Sequence, residues 1–555
     1  MSRTVRWQVL LIAAGMALAA ILLAYLALTY VVREVPTVGG TYIEGMAGTP
    51  HYMNPLLSTY NEADQDLCRL IFSGLTRLND RGEVVSDLAR NWDVSTDGLV
   101  YVFHLRTDVR WHDGTPFTAD DVAFTIRLMQ DPDYPGAPDV AELWRTVEVE
   151  KIDDYTVQFA LSETFAPFLD YTTVGLLPEH LLEGTRASEL PGLDFNLSPV
   201  GTGPFQIEEV EIAEGEITSV LLKRSADFYR SGPLLENIRL RFYPTHQSVL
   251  RAYEAGEVDG VSQVLLEDLP QAYEAGSLNL YTAQTARYGL VYLNLGQPEA
   301  LPFFQDVEVR QALLYGLDRE RLIERQLQGH GLVAHSPIVA GTWAYDEDVP
   351  KYEYDPERAL ALLSRKWPLL SGSPIRTSNG QPLAFTLLAS TDPTQSALAE
   401  EIARQWNDLN LQVTVVTTSP LALRDALERR DYEAALVQLS IPGDPDPYPL
   451  WHQTQITGGQ NYAGFDDREA SEILETARGM IVDRQRRIEL YEDFQTLFAE
   501  EVPAILLYHP MYTYGVDEKV KGVQIPPMMH PSDRFVTVNL WHVAYRRIII
   551  SQTEE

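Results

Sequence analysis

Apolar residues follow two different periods along the chain. From Leu67 to Leu78 they recur at helical spacing, which predicts a helix over this range. From Val100 to Leu105 the pattern changes to alternation, typical of a β-strand with one buried face. Tyr101, Phe103 and Leu105 would share that face. Helical and strand patterns therefore succeed each other within the first hundred residues.

The same succession continues to the carboxyl end. Thr118, with Asp121 three residues later, is typical of a capping box and predicts a helix that runs to Met129. We expect further helices over 308–328 and 397–410, and strands over 39–44, 148–161, 206–211, 218–223 and 411–416. No repeat of 20–50 residues is visible, which argues against a solenoid or a propeller. Alternating strands and helices indicate an α/β protein built on mixed sheets.

The amino terminus carries 26 uncharged residues, Trp7 to Val32. A membrane-spanning helix needs about 20 such residues, and the apolar part of a signal peptide about 7–15. We therefore predict an uncleaved anchor, with a signal peptide cleaved near Ala17-Leu18-Ala19 as the alternative. Two arginines precede the stretch, so the positive-inside rule places the terminus in the cytoplasm and everything after Pro36 outside. The apolar run from Tyr545 to Ser551 is too short to span and is expected to be a strand or a tail.

Composition restricts the classes of partner. The 555 residues include 43 Lys and Arg against 79 Asp and Glu, a formal net charge of −36. This excess of acid argues against nucleic-acid binding, which needs a basic surface. The single cysteine, Cys68, excludes an intramolecular disulfide and a zinc site with several thiolates.

Common enzyme signatures are missing from the sequence. It has no G-x-S-x-G elbow, no H-E-x-x-H, no Walker A loop and no G-x-G-x-x-G. His330 and His335 are five residues apart, a poor spacing for a metal pair on one helix face. We therefore predict no catalytic residues, no metal site and no cofactor, and keep an exported hydrolase as the alternative from another functional class.

A series of short motifs resembles one protein family over about residues 40–540. Together they resemble the bacterial extracellular solute-binding proteins of family 5, the receptors of ABC importers for oligopeptides, dipeptides and nickel. The motifs are IFSGLTRL (71–78), DLARNW (87–92), YVFHLR (101–106), WHDGTPFTADDV (111–122), GTGPF (201–205), AGEVD (255–259), FQDVEVRQAL (304–313), LDR (317–319), YDPERA (354–359) and GDPDP (443–447).

The resemblance implies a two-lobed clamshell that closes on a ligand about a hinge of two chain crossings. Residues 1–37 would be the cytoplasmic terminus and the anchor or signal. The first lobe would comprise 38–72, 179–285 and 516–545, extended by an inserted domain, 73–178, that is dispensable for the cleft. The second lobe would comprise 286–515. The crossings are expected at 285–292 and 508–514, with tyrosines at both: Tyr288, Tyr292, Tyr508, Tyr512 and Tyr514.

The resemblance also implies the binding residues. In peptide-binding members an aspartate holds the ligand's ammonium group, and the matching residue here is Asp444 or, in a shifted alignment, Asp446. Burial of an ammonium group requires such a partner. Thr59 and Tyr60 would face the cleft from the first lobe. Tyr288 lies at a crossing, where a core position is the equal alternative. Asn461 would lie near the cleft or at a helix entry.

The far end of the ligand needs a cation. Arg376, Arg404 and Arg424 are candidates between which the sequence does not choose. The predicted function is an extracytoplasmic, membrane-anchored receptor that binds peptides or peptide-like solutes and delivers them to the permease and ATPase subunits of an importer. A receptor for an oligosaccharide or a metal chelate in the same fold is the alternative.

Overall fold

A computed structural model describes residues 7, 12–22, 30–441, 443–481 and 483–551. Its β-strands are β1 Tyr30–Pro36, β2 Thr41–Ala47, β3 Thr76–Leu78, β4 Val84–Ser86, β5 Ala89–Val94, β6 Val100–Leu105, β7 Val147–Asp153, β8 Thr156–Leu161, β9 Phe205–Ala213, β10 Glu216–Arg224, β11 Asn237–Tyr243, β12 Gly260–Val261, β13 Leu278–Gln284, β14 Arg287–Leu293, β15 Gly331–Val333, β16 Thr377–Ser378, β17 Gln381–Pro382, β18 Ala384–Ser390, β19 Gln412–Thr418, β20 Ala434–Ser440, β21 Ala504–Asp517 and β22 Tyr545–Ser551.

Fifteen α-helices with named bounds lie between the strands within the described ranges. They are α1 Glu62–Ile71, α2 Ala119–Gln130, α3 Pro138–Arg145, α4 Phe168–Tyr171, α5 Glu179–Leu182, α6 His246–Glu254, α7 Leu269–Glu274, α8 Val307–Tyr315, α9 Arg319–Gln326, α10 Pro356–Lys366, α11 Pro393–Asn407, α12 Pro420–Arg429, α13 Tyr448–Trp451, α14 Arg468–Gly479 and α15 Arg484–Glu501. Residues 12–22 are also helical. Short 3₁₀ turns include Ser58–Tyr60 and Pro531–Leu540.

One long strand joins the two lobes of a large mixed sheet. The main path of this sheet is β19-β18-β20-β14-β21-β12-β2-β11-β10-β9, and β13 and β15 also pair with β21. The first part of β21 pairs with β14, whereas its last seven residues pair with β13. The first lobe therefore lies around β2 and β9–β13, and the second around β14, β15 and β18–β20.

The inserted domain has its own four-stranded antiparallel sheet, in the order β5-β6-β8-β7. Its strand β6 buries Tyr101, Phe103 and Leu105 and leaves the intervening side chains partly exposed, as the alternation predicts. The expected helix after Thr118 is α2, and the Asp121 carboxylate accepts the backbone N–H of Thr118 at 2.9 Å. Both predictions are confirmed.

The hydrophobic cores are divided between the lobes in the same way as the strands of the large sheet. One apolar cluster draws on residues between 42 and 283 and on 512–541, and a smaller one on 249–278. Two others lie within 288–508. Each lobe therefore has an apolar interior of its own, the arrangement that lets two lobes move as bodies about a hinge.

Two helix predictions are wrong in their bounds. The helix expected over Leu67 to Leu78 ends at Ile71, and Thr76–Leu78 is strand β3. The helix expected over 308–328 is two helices, α8 and α9, because Asp318 caps a new start by accepting the backbone N–H of Arg321. Apolar spacing continued across both breaks, since the residues beyond them are also buried.

The predicted anchor lies partly outside the described residues, at 8–11 and 23–29. Residues 12–22 are helical, but residues 30–32 belong to β1, which pairs antiparallel with the terminal strand β22. A search of the described ranges finds no helix that is both long and apolar enough to cross a bilayer.

Candidate functional site

The chain passes between the lobes at two adjacent places. Gln284 is the last residue of β13 and pairs with Met511, whereas Arg287 opens β14 and pairs with Ser440. Between them, the backbone N–H of Ala286 donates to Met528 at 2.8 Å, and its carbonyl accepts from Ile441 at 2.7 Å. The second passage lies within β21. The two passages form a short hinge held by backbone hydrogen bonds to both lobes.

A cavity of about 220 Å³ opens at this hinge, and we call it the hinge cavity. Both lobes line it, which makes it the place where lobe movement would change the enclosed volume. Its lining residues are Glu62, Gln263, Thr285, Arg287, Gln438, Pro510, Met511, Tyr512, Met528, Met529, His530 and Pro531. Unbranched methionine side chains adapt to ligands of different shape.

Two opposite charges face the hinge cavity. Glu62 is the first residue of α1, in the first lobe, and Arg287 is the first residue of β14, in the second. Both residues are exposed, and within the described ranges neither side-chain charge has an ion pair or a hydrogen bond. A negative charge in the first turn of a helix is stabilised by the helix dipole. The cavity thus offers a free carboxylate and a free guanidinium group.

Asp444 is already paired within the protein. Arg487 of α15 donates from Nη1 to Asp444 Oδ2 at 2.8 Å and from Nη2 to Asp444 Oδ1 at 2.5 Å. Both side chains are more than nine-tenths buried. Both carboxylate oxygens are occupied by one guanidinium group, a strong bidentate arrangement. A ligand ammonium group would have to compete with Arg487 for this carboxylate.

The inserted domain reaches the same loop. A Cβ on Gly443 would lie 2.5 Å from the Asp170 Oδ1 of α4. Burial, and then the Asp444 charge, raise the pKa of Asp170 well above the ordinary carboxyl value, although Arg487 opposes the shift. The expectation that this domain is dispensable for the cleft does not agree with the contact, because the domain packs directly on the predicted binding loop.

Asp446 lies in a second pair beside the first. Its Oδ2 is 3.4 Å from Arg478 Nε, and its Oδ1 accepts the backbone N–H of Tyr448 at 3.1 Å. Burial raises the pKa of Asp446 to about 6. The Arg478 guanidinium lies between the rings of Tyr448 and Phe165, 4.4 and 4.9 Å from their centroids. It therefore connects the second lobe to the inserted domain.

The other predicted residues lie apart from the hinge cavity. Tyr288 and Tyr292 are fully buried in a core of the second lobe, which matches the core alternative given for Tyr288. The Asn461 amide donates to His452 and Phe465 carbonyls and accepts the Phe465 N–H, so it holds a loop together, as its helix-entry alternative implies. Thr59 lines a separate cavity, and Tyr60 is 77% exposed.

The three arginine candidates for the far end of the ligand have structural partners instead. Arg376 is buried and donates to the Leu409 and Trp367 carbonyls. Arg404 pairs with Glu401 on its own helix and with Asp408 just after that helix ends, and Arg424 pairs with Glu428. None of these three residues lines the hinge cavity, and Arg287 is the one arginine among the described lining residues.

The comparisons with known proteins agree with this architecture. The profile of the family described as "Bacterial extracellular solute-binding proteins, family 5 Middle" matches residues 83–461, more than half of the chain. The chain belongs to this family. The predicted resemblance and the two-lobed α/β fold class are confirmed.

Named relatives of this solute-binding protein cover nearly its whole length. The oligopeptide-binding protein AppA of Bacillus subtilis is 29% identical over 524 residues, 92% of each chain. Its structure in complex with a nonapeptide has a TM-score of 0.67 and covers 92% of this chain and all of that one. NikZ of Campylobacter jejuni in complex with Ni(L-His) is 26% identical, with a TM-score of 0.69 over 90% and 99% of the two chains.

Sequence reasoning missed Glu62, Arg287, Asp170 and Arg487 as site residues of this solute-binding protein. A helix start at Asn61 was the available signal for Glu62, because Asn is a preferred N-cap, and here its carboxamide accepts the N–H groups of Ala63 and Asp64. The other three have no local signal. Their roles follow from contacts between segments distant in sequence.

Proposed function

We propose that this protein is the extracytoplasmic receptor of an ABC importer and that it binds short peptides or other amino-acid-like solutes at the hinge cavity. The observation that supports the proposal is the pair of free, opposite charges there, Glu62 from one lobe and Arg287 from the other. Family membership and the peptide-binding names of relatives support the same conclusion. We also propose that the chain has the domain bounds that the family resemblance implies.

The charges match the two ends of a zwitterion. The Arg287 guanidinium would hold the ligand carboxylate through two parallel hydrogen bonds, the strongest geometry for such a pair. Glu62 would hold the ammonium group, which cannot be buried without a carboxylate partner except at a cost of several kcal/mol. Since the charges lie on different lobes, one ligand that bridges them favours closure.

The size of the cavity limits the ligand. Its 220 Å³ lies below the roughly 300 Å³ at which sites for drug-sized molecules begin. The arrangement thus favours a solute as small as an amino acid or a dipeptide, or an amino-acid metal chelate that presents the same carboxylate. No chemical change of the solute is part of this function.

Calorimetry with the full chain tests the proposal. Glu62→Gln and Arg287→Gln should each weaken binding of an unmodified dipeptide by roughly 10- to 100-fold, because each removes a charge-assisted hydrogen bond. N-acetylation of the dipeptide should reproduce the loss caused by Glu62→Gln, and C-amidation the loss caused by Arg287→Gln.

Glu324→Gln and Arg325→Gln are the matched controls, since both side chains are exposed on α9 of the second lobe. They should bind like the unaltered protein. Unchanged affinity in Glu62→Gln and Arg287→Gln would exclude the hinge cavity as the ligand site. Conversion of the dipeptide into products would support the exported hydrolase instead.

We further propose that the uncharged amino-terminal run holds the protein at the outer face of the cytoplasmic membrane. Residues 7–29, which precede β1, still number 23, enough for a span of about 20. The full chain should sediment with membranes, whereas a chain that begins at Val38 should remain in the supernatant. A mature protein whose sequenced amino terminus begins near residue 20 would show a cleaved signal instead.

A further inference from the structure

A second, larger cavity lies between the first lobe and the inserted domain. Its volume is about 450 Å³, and we call it the arginine cavity after three of its lining residues, Arg69, Arg77 and Arg230. Helix α1 contributes Arg69, strand β3 contributes Arg77, and the segment before β11 contributes Arg230. The second lobe contributes none of the described lining residues, so this cavity is separate from the interlobe hinge cavity, although His530 lines both.

The charge of the arginine cavity is opposite to that of the protein as a whole. Three guanidinium groups line it, and Asp87 is the only carboxylate among its described lining residues. The chain carries a net charge of −36, so a cavity lined by three arginines and one acidic residue differs from its average surface. Hydroxyl groups complete the polar lining, among them Ser58, Ser73, Ser231 and Ser532.

Asp87 accounts for only part of the positive charge. It is buried, accepts from the Tyr229 hydroxyl at 2.6 Å and lies 3.3 Å from Arg230 Nε. Burial raises the pKa of Asp87, and the nearby Arg230 and Arg77 charges oppose that shift. With Asp533, which lies 3.8 Å from Arg69, two carboxylates are close to the three guanidinium groups, and a local excess of positive charge remains.

The guanidinium groups of Arg77 and Arg69 keep unused donors. The hydrogen bond found for the Arg77 side chain runs from Nη1 to the Leu78 carbonyl at a long 3.3 Å, and its buried Nε has no partner within the described ranges. Arg69 is 3.8 Å from Asp533 Oδ1, beyond hydrogen-bond distance, while Oδ2 of Asp533 accepts two backbone N–H groups. The unpaired Nε of Arg77 is buried, and a buried donor without a partner calls for an explanation such as a bound ligand. The Arg69 side chain is 26% exposed, so its donors are accessible from the cavity.

We propose that the arginine cavity binds a small multivalent oxyanion, with phosphate or carboxylate groups held by Arg69, Arg77 and Arg230. Guanidinium forks bind planar oxyanion edges through paired hydrogen bonds, and the hydroxyl groups can bind the remaining oxygens. The volume lies within the roughly 300–1,000 Å³ of small-molecule sites. This site does not depend on the proposed peptide function, because it uses none of the residues of the zwitterion pair.

Calorimetry and thermal unfolding of the full chain, with inorganic phosphate and citrate as separate probes, test the proposal. Both titrations are made at constant ionic strength against chloride. Binding of at least one probe should raise the unfolding temperature above that in chloride. Arg69→Gln and Arg77→Gln should each weaken that binding roughly tenfold or more. A response to phosphate alone or to citrate alone identifies which oxyanion chemistry the cavity accepts.

Arg81→Gln is the control for charge, because Arg81 is exposed on the same hairpin outside the cavity, and it should bind like the unaltered protein. Arg77→Lys keeps the charge but loses the fork and should bind between Arg77→Gln and the unaltered chain. Glu62→Gln combined with Arg287→Gln should leave anion binding unchanged. Equal responses to chloride and both probes, or equal affinity in Arg69→Gln and Arg81→Gln, would overturn the proposal.

Discussion

The pair formed by Asp444 and Arg487 shows how one residue changes the expected recognition chemistry. The family resemblance implies an aspartate that is available to a ligand ammonium group at this point of the sequence, whereas both oxygens of Asp444 accept hydrogen bonds from Arg487. The sequence shows that Asp444 and Asp446 stand two positions apart in one loop. It does not show the partner of Asp444, because Arg487 lies 43 residues away on another element.

Asp444→Asn should therefore reduce stability more than ligand binding. Removal of one member of a buried ion pair leaves the other charge uncompensated, which costs about 3–5 kcal/mol. Chemical denaturation should show this loss, while dipeptide affinity should change less than in Glu62→Gln. Asp466→Asn, an exposed position, is the control and should be neutral. Lost affinity with unchanged stability would instead indicate that Asp444 binds the ligand ammonium group.

At the scale of elements, the sequence pattern predicted well those strands and helix ends that local interactions determine. Strand β6 and the start of α2 follow from alternation and from a capping box. The end of α1 does not, because it depends on a contact with a distant segment. A Cβ on Gly74 would lie 2.6 Å from the Thr173 backbone, so the chain just after α1 packs tightly against a segment about 100 residues away in the sequence. The spacing of apolar residues alone does not predict such a contact.

The short helix α4 should make stability depend on pH. Its Asp170 has a raised pKa in the folded protein, because it is buried and lies near Asp444. An unfolded Asp titrates near 4. The contribution of Asp170 to stability is therefore complete below about pH 4 and is lost as pH rises through its folded pKa. The loss is about 1.4 kcal/mol for each unit by which the folded pKa exceeds the unfolded one.

Asp170→Asn should remove this dependence. Thermal unfolding from pH 4 to pH 9 should show a smaller decline for Asp170→Asn than for the unaltered protein. Asp133→Asn, exposed in the same domain, should decline like the unaltered protein. Equal slopes in all three proteins would mean that Asp170 is ionised when folded.

At the scale of the whole molecule, the two-lobed class was predictable, but the position of the inserted domain was not. A series of different motifs along nearly the whole chain indicates the family, and the family resemblance implies the two lobes and the hinge. The inserted domain contacts the second lobe through both backbone and side-chain groups that are distant in sequence. The Ala166 N–H donates to the Arg478 carbonyl at 3.0 Å, and Arg484 lies 3.1 Å from Glu83. The inserted domain therefore contacts the second lobe directly in the described structure.

Closure should depend on the ligand, because the contacts between the inserted domain and the second lobe include partly exposed ion pairs, such as that of Arg484 with Glu83. A compact chain of 555 residues has a radius of gyration of about 24 Å. Small-angle scattering should give a larger value for the ligand-free protein, and saturating dipeptide should lower it as the lobes close about the hinge.

Arg478→Ala removes the side chain between Phe165 and Tyr448, so it should remain more open at the same ligand concentration. Arg468→Ala, exposed on the same helix, should close normally. A radius unchanged by ligand, together with unchanged hydrogen exchange at residues 164–171, would show that the inserted domain is fixed against the second lobe and that the solute enters without lobe movement.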